Sequence, residues 1–132
     1  MSQSNQKLTG AHVDAALDVM HEHIKALNSR DSEAIAATLH FPHYRLTGGR
    51  LKTWQTYHDY LDDFQQRAGT EWGYSEWGEL NVIHADETKV HIDVRVDRFR
   101  SDGSLLTSFR SIWVVSQING VWAAQLRSSF GK

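Results

Sequence analysis

An α+β fold is predicted, with helices in the first half of the chain and an antiparallel meander in the second. Three features of the 132-residue sequence predict it. Apolar residues recur at helical spacing up to Ala68, and from Tyr74 onward the period becomes two. The alternating half is cut by Asp102-Gly103 and Asn119-Gly120, dipeptides whose backbone preferences suit two-residue hairpin turns. Helices and an antiparallel sheet kept apart along the chain define the class. The length suits one domain with a single core, expected over residues 9–132 behind a loose tail at 1–8.

Val13, Leu17, Met20, Ile24 and Leu27 share one face of a helix running from Ala11 to Asn28, with Thr9 as its N-cap. The break 28-NSRD-31 follows, and Asp31 can cap a short second helix that ends near Leu39. Pro42, the only proline, forbids its continuation and drives Phe41 into an extended conformation. His43 to Leu46 and Arg50 to Lys52 then flank 47-TGG-49, a hairpin whose glycines supply the positive φ of a tight turn. Thr53 is expected to cap a third helix in which Trp54, Tyr57, Leu61, Phe64 and Ala68 share a face, closed by Gly69. Four strands follow at 74–85, 89–100, 105–117 and 121–130, with turns at 101-SDGS-104 and 118-INGV-121.

Two-residue turns set the register, and register sorts side chains by face. They pair Ile92 with Trp113, Val94 with Ser111, Trp113 with Leu126 and Ser111 with Ser128. One face then carries Val90, Ile92, Val94, Val96, Phe109, Trp113, Val115, Trp122, Leu126 and Phe130, and must lie under the helices. The other carries His91, Asp93, Arg95, Asp97, Ser108, Arg110, Gln125 and Arg127, interrupted by Ile112 and Val114. Apolar residues within a charged face favour a subunit contact. A homodimer through the face bearing His91, Asp93, Arg95, Arg110 and Arg127 is therefore expected.

A formal net charge of −2 offers no basic stripe for nucleic acid. Without cysteine there is no disulfide, thiol nucleophile or cysteine metal site. The polar start MSQSNQKLTG lacks the apolar core of a signal peptide, and no later run is long enough to span a bilayer. A cytoplasmic protein with no membrane partner is expected. His21 and His23 point to different sides of their helix and no H-E-x-x-H occurs, so no metal is expected. Gly48-Gly49 with Lys52 and Thr53 lacks the spacing of a phosphate loop.

The segments 28-NSRDSEAIAATLH-40, 49-GRLKTWQTYHDYL-61 and 97-DRFRSDGSLLTSFRSIWVVSQINGVWAAQL-126, in that order and spacing, resemble the nuclear transport factor 2-like superfamily. Within it they are most similar to the SnoaL-like and ketosteroid-isomerase-like members. The resemblance implies three helices packed on a strongly curved, mainly antiparallel mixed sheet, a cone-like half-barrel whose mouth holds a small apolar or amphipathic ligand. It also implies a homodimer and, where members are enzymes, cofactor-free isomerases, dehydratases, epoxide hydrolases or polyketide cyclases. Other members only bind ligands or proteins.

The same resemblance places a general base in the first-strand segment close to a proline. His43 holds the comparable position, with a histidine where a carboxylate is usual. An imidazole with a reference pKa of ~6.5 can move a proton at neutral pH; the alternative is a histidine hydrogen-bonded at a strand edge. Tyr57 and Tyr60 are candidate donors to a ligand oxygen, or else core residues satisfied by backbone. The pocket is expected between Tyr44, Trp54, Phe109, Trp113 and Phe130, with Ser111 and Ser128 as polar anchors on its floor. No nucleophile elbow accompanies these serines. Arg45 and Arg50 could draw an anionic substrate to the hairpin, but surface charge is the plainer role. His40, at a helix C-terminus, is accounted for locally. Two functions stand at this point. One is a cofactor-free lyase or isomerase using His43 with Tyr57 or Tyr60; the other is a non-catalytic ligand-binding or protein-interaction module with the same cavity.

Overall fold

The computed structural model describes residues 8–131, apart from the side chains of Gln65, Arg67 and Ala68. The expected tail at 1–8, except Leu8, and the place of Ala68 on its helix face lie outside that description. The element order is α1 (Ala11–Ser29), α2 (Ser32–Ala37), β1 (Leu39–Thr47), β2 (Arg50–Trp54), α3 (Tyr57–Ala68), β3 (Tyr74–Ala85), β4 (Lys89–Phe99), β5 (Leu105–Ile118) and β6 (Val121–Ser129). The six strands form one sheet in the order β2-β1-β6-β5-β4-β3. All neighbours are antiparallel except β1 and β6, which run parallel. The end strands β2 and β3 do not pair, so the sheet curls without closing and the helices lie in its hollow. This is the α+β, cone-like arrangement the sequence predicts. No helix among the described residues is long and apolar enough to cross a membrane.

The core follows from two periodicities. Along β4, Val90, Ile92, Val94 and Val96 are all buried, as residues two apart must be on one face of a strand. Each contributes about 1.5–3 kcal/mol by leaving water. Against them α1 sets Val13, Ala16, Met20, His23 and Leu27, a stripe of threes and fours. Leu17 and Ile24, expected on that stripe, flank it half-buried. The end of α1 is tied to β3 by two bonds of 2.8 Å, in which the Asn28 side chain donates to the Ser75 carbonyl and accepts from the Ser75 N–H. Trp77 Nε1 donates to the Met20 carbonyl at 2.8 Å.

Several boundaries differ from those expected, and at the end of α2 and the start of α3 pairing in the sheet outweighed a local signal. Gly10, not Thr9, stands at the N-cap of α1. The second helix ends at Ala37, since Leu39 already pairs with Ala124 and the Ala124 N–H donates to Thr38 O at 2.9 Å. Thr53 and Trp54 belong to β2, opposite Tyr44 and His43. The third helix therefore begins at Tyr57, with the Asp59 N–H donating to Thr56 Oγ at 3.3 Å. The two glycines of the first hairpin take φ of 58° and 76° between Thr47 and Arg50, as the tight turn requires.

The expected β4–β5 register is observed, with Ile92 opposite Trp113 and Val94 opposite Ser111. The β5–β6 register is observed only beside the turn, where Ile118 meets Val121 and Val115 meets Ala124. Gln125 is then an extra residue on β6, and Val114 meets Leu126. Such a bulge reverses the facing of everything beyond it. Trp113 consequently pairs with Arg127, not Leu126, and Ser111 with Ser129, not Ser128. Arg127 moves from the expected outer face to the interior, whereas Leu126 and Phe130 move from the interior to the surface.

The outer face keeps its charged lattice. Arg110 donates to Glu79 at 3.0 Å and Asp93 at 2.8 Å, while Arg95 bridges Glu79 and Asp97, both at 2.9 Å. Gly73 marks a close approach of backbones: a β-carbon there would lie 2.5 Å from Ser101 N and 2.7 Å from the Arg100 carbonyl carbon. Because the obstacle is main chain, Gly73→Ala should cost about 1–3 kcal/mol in urea denaturation. A loss under about 0.5 kcal/mol, the usual surface range, would mean the segments separate freely.

Candidate functional site

Polar side chains from four strands and two helices meet under the curled sheet, with Ser75 the contribution of β3. On β1, His43 and Arg45 share the inward face because they are two residues apart. On β4, Arg98 extends the buried row of Val90 to Val96. On β6, the bulge turns Arg127 and Ser129 inward. Helix α1 contributes His23, and α3 contributes Tyr60 and Phe64. The three guanidinium-bearing residues Arg45, Arg98 and Arg127 are only 3%, 7% and 5% exposed.

The hydrogen bonds define the tautomers. His43 Nδ1 lies 3.0 Å from the Ala124 carbonyl, which can only accept, so Nδ1 carries the proton. Its Nε2 then accepts from Arg127 Nη1 at 3.3 Å, and the same Nη1 donates to Tyr60 Oη at 3.2 Å. Thr38 Oγ1 donates to the Ile35 carbonyl at 2.8 Å and therefore accepts from His23 Nδ1, also at 2.8 Å. Arg127 is further held over the Trp113, Tyr60 and Trp54 rings, with Cζ 4.8, 5.4 and 5.6 Å from their centroids. Aromatic faces are attractive to a cation. Burial, reinforced by the Arg127 charge, holds the His23 pKa down to about 3.

These residues border a cavity of about 40 Å³, room for roughly three waters at ~10–15 Å³ each. Its polar lining is His23, Arg45, Tyr60, Ser75, Arg98, Arg127 and Ser129. Its apolar lining is Ile24, Leu27, Phe64, Trp77, Val96, Phe109 and Trp113. Leu27 and Phe64 also wall an outer groove of about 240 Å³ between the helices. The groove and the cavity share these two side chains as walls.

No profile of a known protein family matches the chain, and no curated protein matches it in sequence. Solved structures do match in shape. A protein of unknown function with a cystatin-like fold from Nostoc punctiforme superposes with a TM-score of 0.76 at 13% identity, over 96% of this chain and 95% of that one. A nuclear transport factor 2-like protein with a cystatin-like fold from Novosphingobium aromaticivorans gives 0.73 at 15%, over 91% and 81%. The chain has the nuclear transport factor 2-like fold. A third structure, a candidate aromatic ring hydroxylase from Novosphingobium aromaticivorans, gives 0.66 at 13%, over 92% of each chain.

Within the nuclear transport factor 2-like fold the sequence-predicted site residues divide. His43, Trp54 and Tyr60 come together, with His43 to Trp54 centroids 6.0 Å apart and Trp54 to Tyr60 5.2 Å apart. Phe109 and Trp113 line the cavity. Ser111 is buried beside it, with Oγ 2.8 Å from Ser129 Oγ, so Ser129 takes the role expected of Ser128. Ser128 and Phe130 point away because of the bulge, and Phe130 is 79% exposed. Tyr44 lies on the opposite face of β1 from His43 and Arg45, with Leu46. Tyr57, the first residue of α3, packs on the His58 ring at 4.0 Å and does not line the cavity.

Arg45, expected on the surface, is buried, with Nη2 donating to Gly131 O at 2.7 Å. Sequence reasoning missed His23 and Arg98 as interior groups. Both were legible: His23 stands three residues after Met20 and four before Leu27, and Arg98 two after Val96. Arg127 was not, since its facing depends on the bulge.

Proposed function

We propose that the chain is a small-molecule-binding domain of the SnoaL-like type, with its ligand in the cavity between sheet and helices. Tyr60 and Arg127 are its polar contacts, and Phe109 and Trp113 its apolar walls. The observation that carries this reading is the convergence of buried polar side chains from six elements on one interior space. Stability alone does not call for them, because burying hydroxyl, imidazole and guanidinium groups costs free energy that apolar residues of similar volume avoid.

The bonding of His43 favours binding over proton transfer. Its Nδ1–H is committed to a carbonyl and its lone pair to a guanidinium, and the ring is not among the residues lining the cavity. A base must reach the proton it removes. His43 then acts by holding Arg127 in place. One observation favours a cofactor-free isomerase or lyase as the second reading. Tyr60 Oη accepts from a cation, which strengthens its own hydroxyl as a donor to a ligand carbonyl.

A fragment titration followed by NMR tests the binding site. The indole N–H signals of Trp77 and Trp113 should shift; shifts confined to Ile35 and Leu61, beside the outer groove, would move the site there. Ring ¹⁵N shifts of His43 separate the two readings. The Nδ1–H tautomer should persist in the complex, and its loss on binding would favour proton transfer. Tyr60→Phe should weaken ligand binding roughly fivefold and destabilise the protein by about 1–2 kcal/mol, since an Arg127 N–H loses its acceptor.

A cytoplasmic homodimer belongs to the same proposal. Its support is the exposure of Ile112 and Leu126, 37% and 38%, on the face bearing Asp93, Arg95 and Arg110. Sedimentation at low and high salt checks it; a monomer throughout would remove it.

A further inference from the structure

The outer groove carries chemistry of its own. It is a concavity of about 240 Å³ where α1, α2, α3 and the loop before β3 meet, floored by Leu27, Ile35, Leu61, Phe64 and Trp72. All of these but Leu61 belong to the buried core. Apolar space left open between packed elements forfeits dispersion contacts that a ligand can supply. Arg30 stands in the same lining. It closes α1 with φ 56° and ψ 35°, the left-handed conformation that glycine adopts most readily at a helix end. Its Cζ lies 4.4 Å from the Trp72 ring centroid, and its Nη1 and Nη2 donate to the Asn28 and Gly73 carbonyls at 3.1 and 3.0 Å. These contacts fix the guanidinium but bring it no counter-charge. Asp31, the next residue, turns its carboxylate to its own helix, accepting from the Ala34 N–H at 3.1 Å, and Glu71 is bonded to Arg100 at 3.1 Å. We propose that the groove is a second binding site, for a small monocarboxylate with an apolar body. Its carboxylate faces the Arg30 guanidinium, and its hydrocarbon part lies against Leu61, Phe64 and Trp72.

A guanidinium suits a carboxylate because its planar fork matches the two oxygens. Two of the five N–H groups of an arginine are used on the carbonyls here, and the remainder can donate to a ligand. Ser32 adds a hydroxyl to the lining, and no aspartate or glutamate is among the described residues that line the groove. The size falls just under the ~300–1,000 Å³ usual for small-molecule pockets, which favours a body of one ring over an extended chain. Arg30 is exposed, so water and salt weaken its attraction and the hydrocarbon contacts carry much of the affinity. The site goes beyond the interior cavity, and the two have separate reporters. Trp72 lines the groove and not the cavity, whereas Trp77 and Trp113 line the cavity and not the groove.

The full-length chain is titrated at neutral pH with benzoate, benzamide, acetate and inorganic phosphate, first at low and then at physiological ionic strength. The indole N–H signal of Trp72, which donates to Ser75 Oγ at 2.8 Å, and the Leu61 methyl signals report the groove. The Trp77 and Trp113 indole signals report the cavity. Benzoate should shift the groove signals and bind roughly three- to fivefold more tightly than benzamide, with the difference shrinking as salt is added. Equal binding of acid and amide at the groove would overturn the proposal. Acetate or phosphate binding as tightly as benzoate would also overturn it, leaving only an anion patch. Benzoate shifts confined to Trp77 and Trp113 would remove the groove site and leave the cavity as the ligand site. Shifts confined to Trp72 and Leu61 would support the groove and count against the cavity, and no shift at any of these signals would remove both. Arg30→Gly deletes the cation and suits the positive φ, so the variant should fold and bind benzoate and benzamide alike. A preference for benzoate that survives in Arg30→Gly would sink the proposal. If that variant does not fold, the salt dependence of the acid–amide ratio in the unmodified chain decides.

Discussion

Acidification from about pH 6.5 to pH 5 should remove about 2 kcal/mol of stability through His23 alone. In the folded protein its pKa is lowered to about 3, first by burial and second by the Arg127 charge. The unfolded chain takes up the proton near the ordinary value of ~6.5, so between the two values it binds more protons than the native state does. Stability is therefore complete above about pH 6.5 and falls progressively toward pH 3, where the native ring itself is protonated.

The imidazolium would have no comfortable place in the native structure. Its Nδ1–H already meets Thr38, its ring lies 5.1 Å from the Trp113 ring, and its charged neighbour is a cation. Glu79, Asp86, Asp97 and Asp102 are also held below the usual carboxylate range by their hydrogen bonds. They act in the same direction, but only at lower pH. His91, lowered by partial burial first and by Lys89 second, adds to the slope in the same window. Urea denaturation of the unmodified chain and of His23→Gln across this range isolates the His23 share. The variant should lose most of the slope between about pH 6.5 and 5. Parallel curves for the two proteins would show that the ring is not the titrating group.

Trp113→Ala should be the most damaging single truncation on the sheet, costing about 3–5 kcal/mol. The indole is buried at the centre of β5 and meets His23, His43 and Trp77 at centroid distances of 5.1, 6.3 and 5.4 Å. Arg127 Cζ lies 4.8 Å above it. Truncation opens a void and also exposes a buried cation to that void. Against a typical margin of about 5–15 kcal/mol, this is a large share of the stability.

Phe130→Ala supplies the contrast. The ring is mostly in solvent, so its loss should stay within about 0.5 kcal/mol. Both values come from one urea series. A Phe130 variant as damaged as the Trp113 variant would restore Phe130 to the pocket wall and remove the bulge on which the interior position of Arg127 rests.

Those two side chains also show where sequence reasoning stops. Trp113 was placed correctly because its facing follows from the alternation of β5 and from a β4–β5 register that the structure keeps. Phe130 was misplaced because alternation was carried across Gln125 as though the strand were regular. The pattern Trp122, Ala124, Leu126 is a plausible inward row, and nothing local to it signals an extra residue. Where several residues of the site lie on regular stretches, the spacing carried the signal, although Arg45 was read as surface charge and Arg98 was passed over. His43 and Arg45 are two apart on β1, Arg98 is two beyond Val96, and Tyr60 and Phe64 are four apart on α3.

The sequence by itself determined the class, the order of elements and the apolar row of β4, because hydrophobic period and turn chemistry act over a few residues. Only the tertiary structure decided that Arg127 enters the cavity. Strand β6 is held between an antiparallel neighbour, β5, and a parallel one, β1, whose hydrogen-bond spacings differ. Around the join, β1 is itself irregular between Leu39 and Tyr44, and the Gln125 side chain donates to the Pro42 carbonyl at 3.2 Å. The residue that absorbs this mismatch is set by two partners at once, the adjacent hairpin strand β5 and, 83 residues earlier, Pro42 on β1. The inward turn of Arg127, and with it the charge of the site, is therefore a property of three strands together.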